Sequence, residues 1–376
     1  MLCPLRDLRP QHFPSDAPDT GQRAGYSWCA WRFRVRPQGV GAPALSAPHG
    51  TINRMSLSVH SPSPSALAAV WEPDGAYNLA ATLGPLRCGS LDPSFIQHDG
   101  AAWLAFRTDD GVATVRLVQH GPLRSSAVHA TAWGPGAEAA LASVPRLCGA
   151  EDDWSVFDEP DYSSELPELA RKGRYLTPGL RFPSTGRMLD AVVRVILEQK
   201  VTGTEAKRAW RYLLTRFGDA TPAAPCMPAA LRLPPTPEQW RRVPSWEWHR
   251  AGVDSKRSAT ILRAATVGAS LERLAGEPRA VVTAGLCSVP GIGPWTAAEV
   301  LQRTHGCPDS ISVGDFHLAA FVGAALTGRR TDDAGMLRLL EPWSGQRQRV
   351  VRMLYASGFR KQAFGPRLAP SDHRRR

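Results

Sequence analysis

The chain is expected to fold as an α+β protein, a small antiparallel sheet followed by an all-helical domain. Three observations predict this. Alternating apolar segments with hairpin chemistry are confined to residues 66–133. From about Thr185 onward, apolar residues recur at helical spacing. Helix-start signals then repeat to the end of the chain. With 376 residues and 43% hydrophobic side chains, two or three packed units are expected.

Residues 1–65 are rich in Pro, Ser, Gly and Arg and lack periodicity, so they read as a disordered extension. Met55, just before a Ser/Pro stretch, is a candidate translation start, a hypothesis that mass spectrometry of the native protein tests. Residues 66–150 form the sheet domain. Tyr77–Leu83 is predicted as a strand. Ala101–Arg107 and Val112–Gln119 flank Asp109-Asp110-Gly111, a turn composition that joins strands into a hairpin. Ala127–Trp133 is the next strand, and alanine-rich Gly136–Ser143 reads as a helix. Residues 151–184 are acidic and contain proline, so they read as a connector.

Residues 185–360 form the helical domain. Leu189, Val192, Val193, Ile196 and Leu197 stand at i, i+3, i+4, i+7 and i+8, one apolar helix face. Thr202-Gly203-Thr204-Glu205 is a capping box, and Gly218 ends the helix it opens. Thr236-Pro237-Glu238-Gln239 starts another helix, with proline at the first helical position. Asp254 caps a helix running to about Val267, and Pro278–Cys287 is a further short one. Helices near 294–304, 316–326, 332–341 and 345–357 complete the set, with no strand expected. Residues 361–376 are a basic tail.

Charge is unevenly placed. The whole chain carries +11, whereas residues 181–376 alone carry +14 and residues 66–180 carry −7. A basic half of this kind suits a polyanion. Only five basic residues are lysine, so arginine-rich composition also accounts for part of the asymmetry. No apolar run is long enough to span a bilayer, and Met1–Pro14 has no apolar signal region. A membrane role is therefore not expected, and the cytoplasm, or the nucleoid in a bacterium, is the expected location. The seven cysteines form no CxxC pair, which argues against a disulfide framework, a zinc site or an iron–sulfur cluster.

Two segments carry chemistry. In Ser288-Val289-Pro290-Gly291-Ile292-Gly293-Pro294-Trp295-Thr296, glycines bracket Ile292 between two helices. Glycine permits the tight turn and leaves N–H groups unshielded, and with the following helix N-terminus these can hold a phosphate oxygen. Ile292 would pack inward as the anchor. An ordinary helix–helix turn has the same composition. The second segment is Ser312-Val313-Gly314-Asp315-Phe316-His317-Leu318, where Asp315 precedes an apolar helix. An Asp in this place also serves as a simple N-cap.

Together these segments resemble the helix-hairpin-helix DNA glycosylase superfamily, whose signature is a Pro-Gly-x-Gly hairpin followed by an Asp. Leu189–Gly218, with Ile196-Leu197-Glu198-Gln199-Lys200-Val201, looks like the family's first core helix pair. Gly252-Val253-Asp254-Ser255-Lys256-Arg257-Ser258 resembles a further family segment. The upstream sheet is similar to the TATA-binding-protein-like N-terminal domain of the 3-methyladenine DNA glycosylase II branch. Members that also cut the backbone carry a hairpin Lys that forms a Schiff base; here that position is Trp295, which has no amine. With the iron–sulfur cysteines also missing, the resemblance implies a monofunctional enzyme for alkylated purines such as 3-methyladenine and 7-methylguanine, without lyase activity.

The resemblance implies roles for particular residues. Asp315 is the catalytic carboxylate, stabilising an oxocarbenium-like sugar or activating water. Trp295, Gln199, Phe316 and Trp343 are expected at a base pocket, where aromatic rings attract a cationic purine; each aromatic would serve equally in core packing. Pro290, Gly291, Ile292, Gly293 and Thr296 are expected on the DNA backbone. Lys200 stands where the family often wedges an apolar side chain into the duplex, and reads instead as a phosphate contact. His317 is expected to be structural or DNA-facing. Trp246 and Trp248 fall in an expected interhelix loop, and Arg347, Arg349 and Arg374–Arg376 on a solvated basic surface. Double-stranded damaged DNA is the expected partner of a monomer, with no cofactor or metal beyond the monovalent cation that the family holds at its hairpin. A glycosylase for another lesion, and a catalytically inactive DNA-binding module, are the alternatives.

Overall fold

The computed structural model describes residues 36–37 and 66–361. Met55, the rest of the N-terminal extension and Arg374–Arg376 lie outside the described residues. The sheet is wholly antiparallel, with strand order β1-β2-β6-β5-β4-β3. These strands are β1 (Arg36–Pro37), β2 (Leu67–Trp71), β3 (Phe95–His98), β4 (Ala101–Thr108), β5 (Gly111–His120) and β6 (Ala127–Trp133). The extension expected to be disordered thus contributes a two-residue edge strand.

The β4–β5 hairpin turns at Asp109-Asp110, with Thr108 opposite Gly111, where it was expected. A second hairpin, β3–β4, turns at Asp99-Gly100, both with positive φ (48° and 70°), the geometry that favours Asp-Gly. Strands β2 and β3 were not foreseen, because neither shows more than one full alternation. Tyr77–Leu83 is not a strand. The Asn78 side chain accepts from the Ala81 N–H at 3.0 Å and caps a short helix, Leu79–Leu83; local capping overrides the apolar run.

Residues Ala101 to Phe106 of β4 are all buried, as expected for a central strand covered on both faces. The helix Ala137–Leu147 covers one face of the sheet, along β2, β5 and β6. On the other, Trp103 stacks on Trp133 at 5.8 Å beneath Leu231 and Leu233. Leu233 belongs to, and Leu231 just precedes, the second strand of a two-stranded ribbon, β7 (Asp219–Ala220) with β8 (Arg232–Leu233), so the helical half does contain strands.

Two hydrophobic clusters build the helical half. The first surrounds the helix Met188–Glu198, whose predicted apolar face is buried. It gathers the helices Gly203–Phe217, Ser255–Thr266, Arg279–Cys287 and Pro294–Thr304. The Thr202 capping box and the Asp254 cap form as expected, and the helix start at Thr236 turns out to be a second capping box, with Gln239. The second cluster joins the helices Leu318–Thr327, Asp333–Leu340 and Arg347–Ala356 to residues 154–182.

Residues 151–184 are therefore core rather than connector. They hold the helices Ser155–Asp158, Pro160–Glu165 and Glu168–Leu176. Gly173 packs so closely on the backbone of Met353 that no Cβ would fit. Asp152 pairs with Arg349 and accepts from the Trp154 indole and the Phe182 N–H, both at 2.6 Å. Arg349, expected on a solvated surface, is only 2% exposed and lies over the Trp154 ring. Arg347 likewise binds Asp309 through two contacts, at 2.7 and 2.5 Å. Acidic and basic residues distant in sequence here neutralise one another. No helix among the described residues is long and apolar enough to cross a membrane.

Candidate functional site: a glycine hairpin and a tethered carboxylate

The hairpin joins the two helices Arg279–Cys287 and Pro294–Thr304. The Ile292 N–H donates to Val289 O at 3.0 Å and closes the turn. Ile292 is 5% exposed and anchors the loop in the first cluster, whereas Pro290 and Gly291 are exposed. The two glycines do different work. Gly291 has φ +100°, and a Cβ there would overlap the Thr260 hydroxyl. Gly293 has φ −109°, and its Cβ would meet open space. Gly291 is thus required by the fold, and Gly293 only keeps the outer face of the turn uncovered.

Two side chains brace this loop from behind. Gln199 Nε2 donates to Gly291 O at 3.1 Å and to Thr296 Oγ1 at 2.9 Å. Arg263 Nε donates to Pro290 O at 2.8 Å, and its Nη2 to Thr260 Oγ1 at 3.0 Å. Gln199, expected in a base pocket, spends its amide on the hairpin. Thr296 is only 2% exposed and its hydroxyl accepts from Gln199, so this residue, expected on the DNA backbone, is buried behind the hairpin. Lys200 follows Gln199 at the tip of the turn, exposed and with φ +54°, a conformation that costs a non-glycine residue about 1–3 kcal/mol.

Asp315 stands at the meeting of the two clusters. Its Oδ1 accepts from the N–H groups of His317 at 2.8 Å and Leu318 at 2.9 Å, in the turn that enters the helix Leu318–Thr327. Its Oδ2 accepts from the Trp295 indole at 3.2 Å. The N-cap itself is His317, so Asp315 stands two residues ahead of it and orders the turn into the helix, and the tie to the hairpin is added to this. Trp295 packs on the first cluster and Leu318 in the second, so this carboxylate bridges them. Three donors fix its plane, and a carboxylate has about four acceptor positions, so room for one further donor remains.

The segment carrying Asp315 is pinned along its length. Ser312 Oγ donates to Glu299 Oε1 at 2.5 Å and accepts from Gln302 Nε2 at 3.0 Å. Glu299 also pairs with Arg303 at 2.6 Å, which reaches Glu198 at 3.3 Å. At the far end Asp309 accepts from Arg279 and Arg347. Burial raises the Asp309 carboxyl, but these bonds outweigh it and hold the group below the usual range. Gly314, with φ +88°, makes the final turn into Asp315.

The aromatic residues divide. Phe316 is 79% exposed, beside Asp315, with its ring edge-on to His317 at 4.7 Å. Trp343 packs on the second cluster, which supports core packing rather than a pocket wall. Trp246 is exposed, while Trp248 is buried and stacks on Trp240 at 5.9 Å; both belong to a helix, Ser245–Arg250, not a loop. Tyr355 was not foreseen. It is half-exposed and stacks face to face on Phe321 at 4.1 Å. Burial first, then the charges of Asp315 and Glu299, push its phenol up to about 12, which marks it as a neighbour of the site. Arg263, Glu299 and Tyr355 lie on three separate helices, and no local pattern announces them.

No protein-family model and no curated protein matches the chain. Solved structures do. The 3-methyladenine DNA-glycosylase from Archaeoglobus fulgidus superposes with a TM-score of 0.62 at 18% identity, over 77% of this chain and 98% of that one. The 8-oxoguanine glycosylase/lyase of Clostridium acetobutylicum, in its apo form, gives 0.57 at 10% identity, over 77% and 95%. The same enzyme in complex with double-stranded DNA containing cytosine opposite 8-oxoG gives 0.54 at 11% identity, over 76% and 97%. At these identities the likeness is one of fold: the chain shares its architecture with these DNA glycosylases, in line with the resemblance seen at the hairpin and Asp315.

Proposed function

We propose that the chain is a monofunctional DNA glycosylase that flips an alkylated purine, of the 3-methyladenine or 7-methylguanine type, out of double-stranded DNA and hydrolyses its N-glycosidic bond. The observation that carries this is the Asp315 carboxylate held by the Trp295 indole of the hairpin's outgoing helix. One interaction couples the candidate reacting group to the candidate DNA-gripping loop.

In this reading Pro290–Gly293 lies against a backbone phosphate, with the uncovered turn and the helix N-terminus as donors and with Lys200 beside it. The target nucleotide leaves the stack. Asp315, with one acceptor position open, faces the sugar as positive charge develops, or orients the attacking water. A purine alkylated on its ring is already cationic and is drawn to the electron-rich indole of Trp295 and the exposed ring of Phe316. The base departs with the bond electrons, and water supplies hydroxide to C1′ and a proton to the medium. Trp295 has no amine, so no imine forms there and the abasic strand stays intact.

The enzyme would act as a monomer, in the cytoplasm or on the nucleoid. The carbonyls of Pro290 and Gly291 each already accept one hydrogen bond, from Arg263 and Gln199, so a monovalent cation at the hairpin would share them through their second lone pairs; the reaction above needs no step through it. One relative in fold is named an 8-oxoguanine glycosylase/lyase, so an oxidised purine is the second reading; Trp295 stands against its lyase form. A binding-only module would need this carboxylate only to order the helix start and bridge the clusters, and an asparagine would serve there as well.

Chromatography of bases released from randomly methylated DNA tests the proposal. Release of 3-methyladenine or 7-methylguanine by the wild type, and not by Asp315→Asn, is expected. Tight binding of damaged duplex without release of any base would replace it by the binding-only reading.

A further inference from the structure

Arg257 donates through Nη1 to Leu197 O and through Nη2 to Gly252 O, both at 3.0 Å. These bonds tie the turn that carries Lys200 to the start of the helix Ser255–Thr266, where Lys256 is exposed. Two helices lead away from this point, Gly203–Phe217 and Ser245–Arg250. They are joined by the Tyr212 hydroxyl, which donates to Glu247 at 2.5 Å. Arg208 stands one turn before Tyr212, and Arg211 follows it by three residues, so both lie opposite the buried face of Ala209, Trp210 and Leu213. Trp246 and Arg250, four residues apart, share one side of the second helix. Both are exposed, the indole by 61%.

The acids of the same segments have partners within the fold. Glu198 pairs with Arg303, Glu205 accepts in the Thr202 cap, and Asp254 pairs with Arg257. Glu247 is 3% exposed, beneath Tyr212 and Arg250. Among the described residues the side chains of Lys200, Lys256, Arg208 and Arg211 have no hydrogen-bond or ion-pair partner. The outward charge of this strip is therefore positive, whereas residues 66–180 carry −7. Such a division attracts a polyanion to the strip and repels it from the acidic part of the chain. An exposed indole among the cations suits a nucleic acid, whose backbone offers phosphates to the charged groups and sugar faces to the ring.

We propose that this strip is a second grip on double-stranded DNA, holding phosphates of the duplex that flanks the nucleotide at the hairpin. It rests on the DNA reading given above and adds a backbone contact beyond Pro290–Gly293. The helix Gly203–Phe217, of 15 residues, is about 22 Å long, the length of about six base pairs.

The test is fluorescence anisotropy of the full-length protein on a duplex of about 24 base pairs, which runs past the strip on either side, with an abasic-site analogue at its centre and the salt concentration varied. Arg208→Gln and Arg211→Gln are each expected to lower the slope of log affinity against log salt by about 1. Trp246→Ala is expected to weaken binding several-fold without changing the slope. Arg124→Gln removes the same charge from an exposed arginine of the sheet domain that has no partner among the described residues, and is expected to leave the slope unchanged. None of these three arginine variants breaks a bond within the fold. Absence of duplex binding, unchanged slopes in both strip variants, an equal drop in Arg124→Gln, or tighter binding of the single strand than of the duplex would each overturn the proposal. The glycosylase reading fails separately. A wild type that binds with these slopes but releases no base keeps the strip and loses the enzyme; Asp315-dependent release with unchanged slopes keeps the enzyme and loses the strip.

Discussion

Asp315 holds three N–H donors and keeps one acceptor position for the reacting partner. Asparagine in its place retains the bonds to His317 and Leu318 through its carbonyl but removes the negative charge. Asp315→Asn is therefore expected to keep fold and DNA affinity and to lower single-turnover base release by on the order of 10²–10³, the usual scale for a preorganised electrostatic contact; near wild-type release would exclude the mechanism. The hairpin glycines give a second prediction. Gly291→Ala meets the Thr260 hydroxyl at positive φ and should destabilise the fold by about 1–3 kcal/mol in urea denaturation. Gly293→Ala points into open space and should change stability by less than about 0.5 kcal/mol, yet weaken duplex binding by covering the turn. If both variants lost stability equally, the division of labour between the glycines would be refuted.

The hairpin is an element whose shape depends on its neighbours. Gln199 and Arg263 come from two other helices and hold the carbonyls of Gly291 and Pro290. Arg263 is exposed, and its Nη1 is left without a protein acceptor, beside the face assigned to phosphate. Arg263→Met should weaken duplex binding and lower the slope of log affinity against log salt by about 1, the signature of one phosphate contact. A slope unchanged within error would reduce Arg263 to a structural brace. The segment 309–315 is held in a comparable way, by Glu299 and Gln302 at Ser312 and by Arg279 and Arg347 at Asp309. Local signals did foretell much at this scale. Capping residues, proline at a first helical position and the Met188–Glu198 apolar face all gave elements with nearly the expected bounds. They failed at Tyr77–Leu83 and at residues 151–184, where an Asn cap and distant ion-pair partners outweighed the local composition.

At the scale of the whole molecule, the seam between sheet and helices carries a strained charge. Asp190 faces Arg187, Arg107 and Glu272, and its carboxyl is raised to about 6 by burial and by Glu272. The unfolded value is about 3.9. Between these values the folded chain holds a proton that the unfolded chain has lost. The contribution of this group is thus fully present below about pH 4 and is lost as pH rises through 6. Glu272, raised first by burial, acts with the same sign. Asp190→Asn should therefore stabilise the protein by about 2 kcal/mol at pH 7.5, with the gain fading toward pH 4. Melting curves across that range check it; a gain independent of pH would show that the seam does not discriminate against the charge.

By itself the sequence determined the succession of sheet and helices, the hairpin and the position of Asp315 ahead of an apolar helix, because caps, glycine turns and helical periodicity act over a few residues. It also placed Ile292 inside and Gly291 at a turn. Only the tertiary structure decided what surrounds the carboxylate. The Trp295–Asp315 bond, the Gln199 and Arg263 braces, the nearness of Tyr355 and the burial of Arg349 against Asp152 all join residues from separate segments of the chain. The physical reason is one of range: a hydrogen bond or an ion pair acts over a few ångströms of space, and the chain distance between its partners here runs from twenty residues to nearly two hundred.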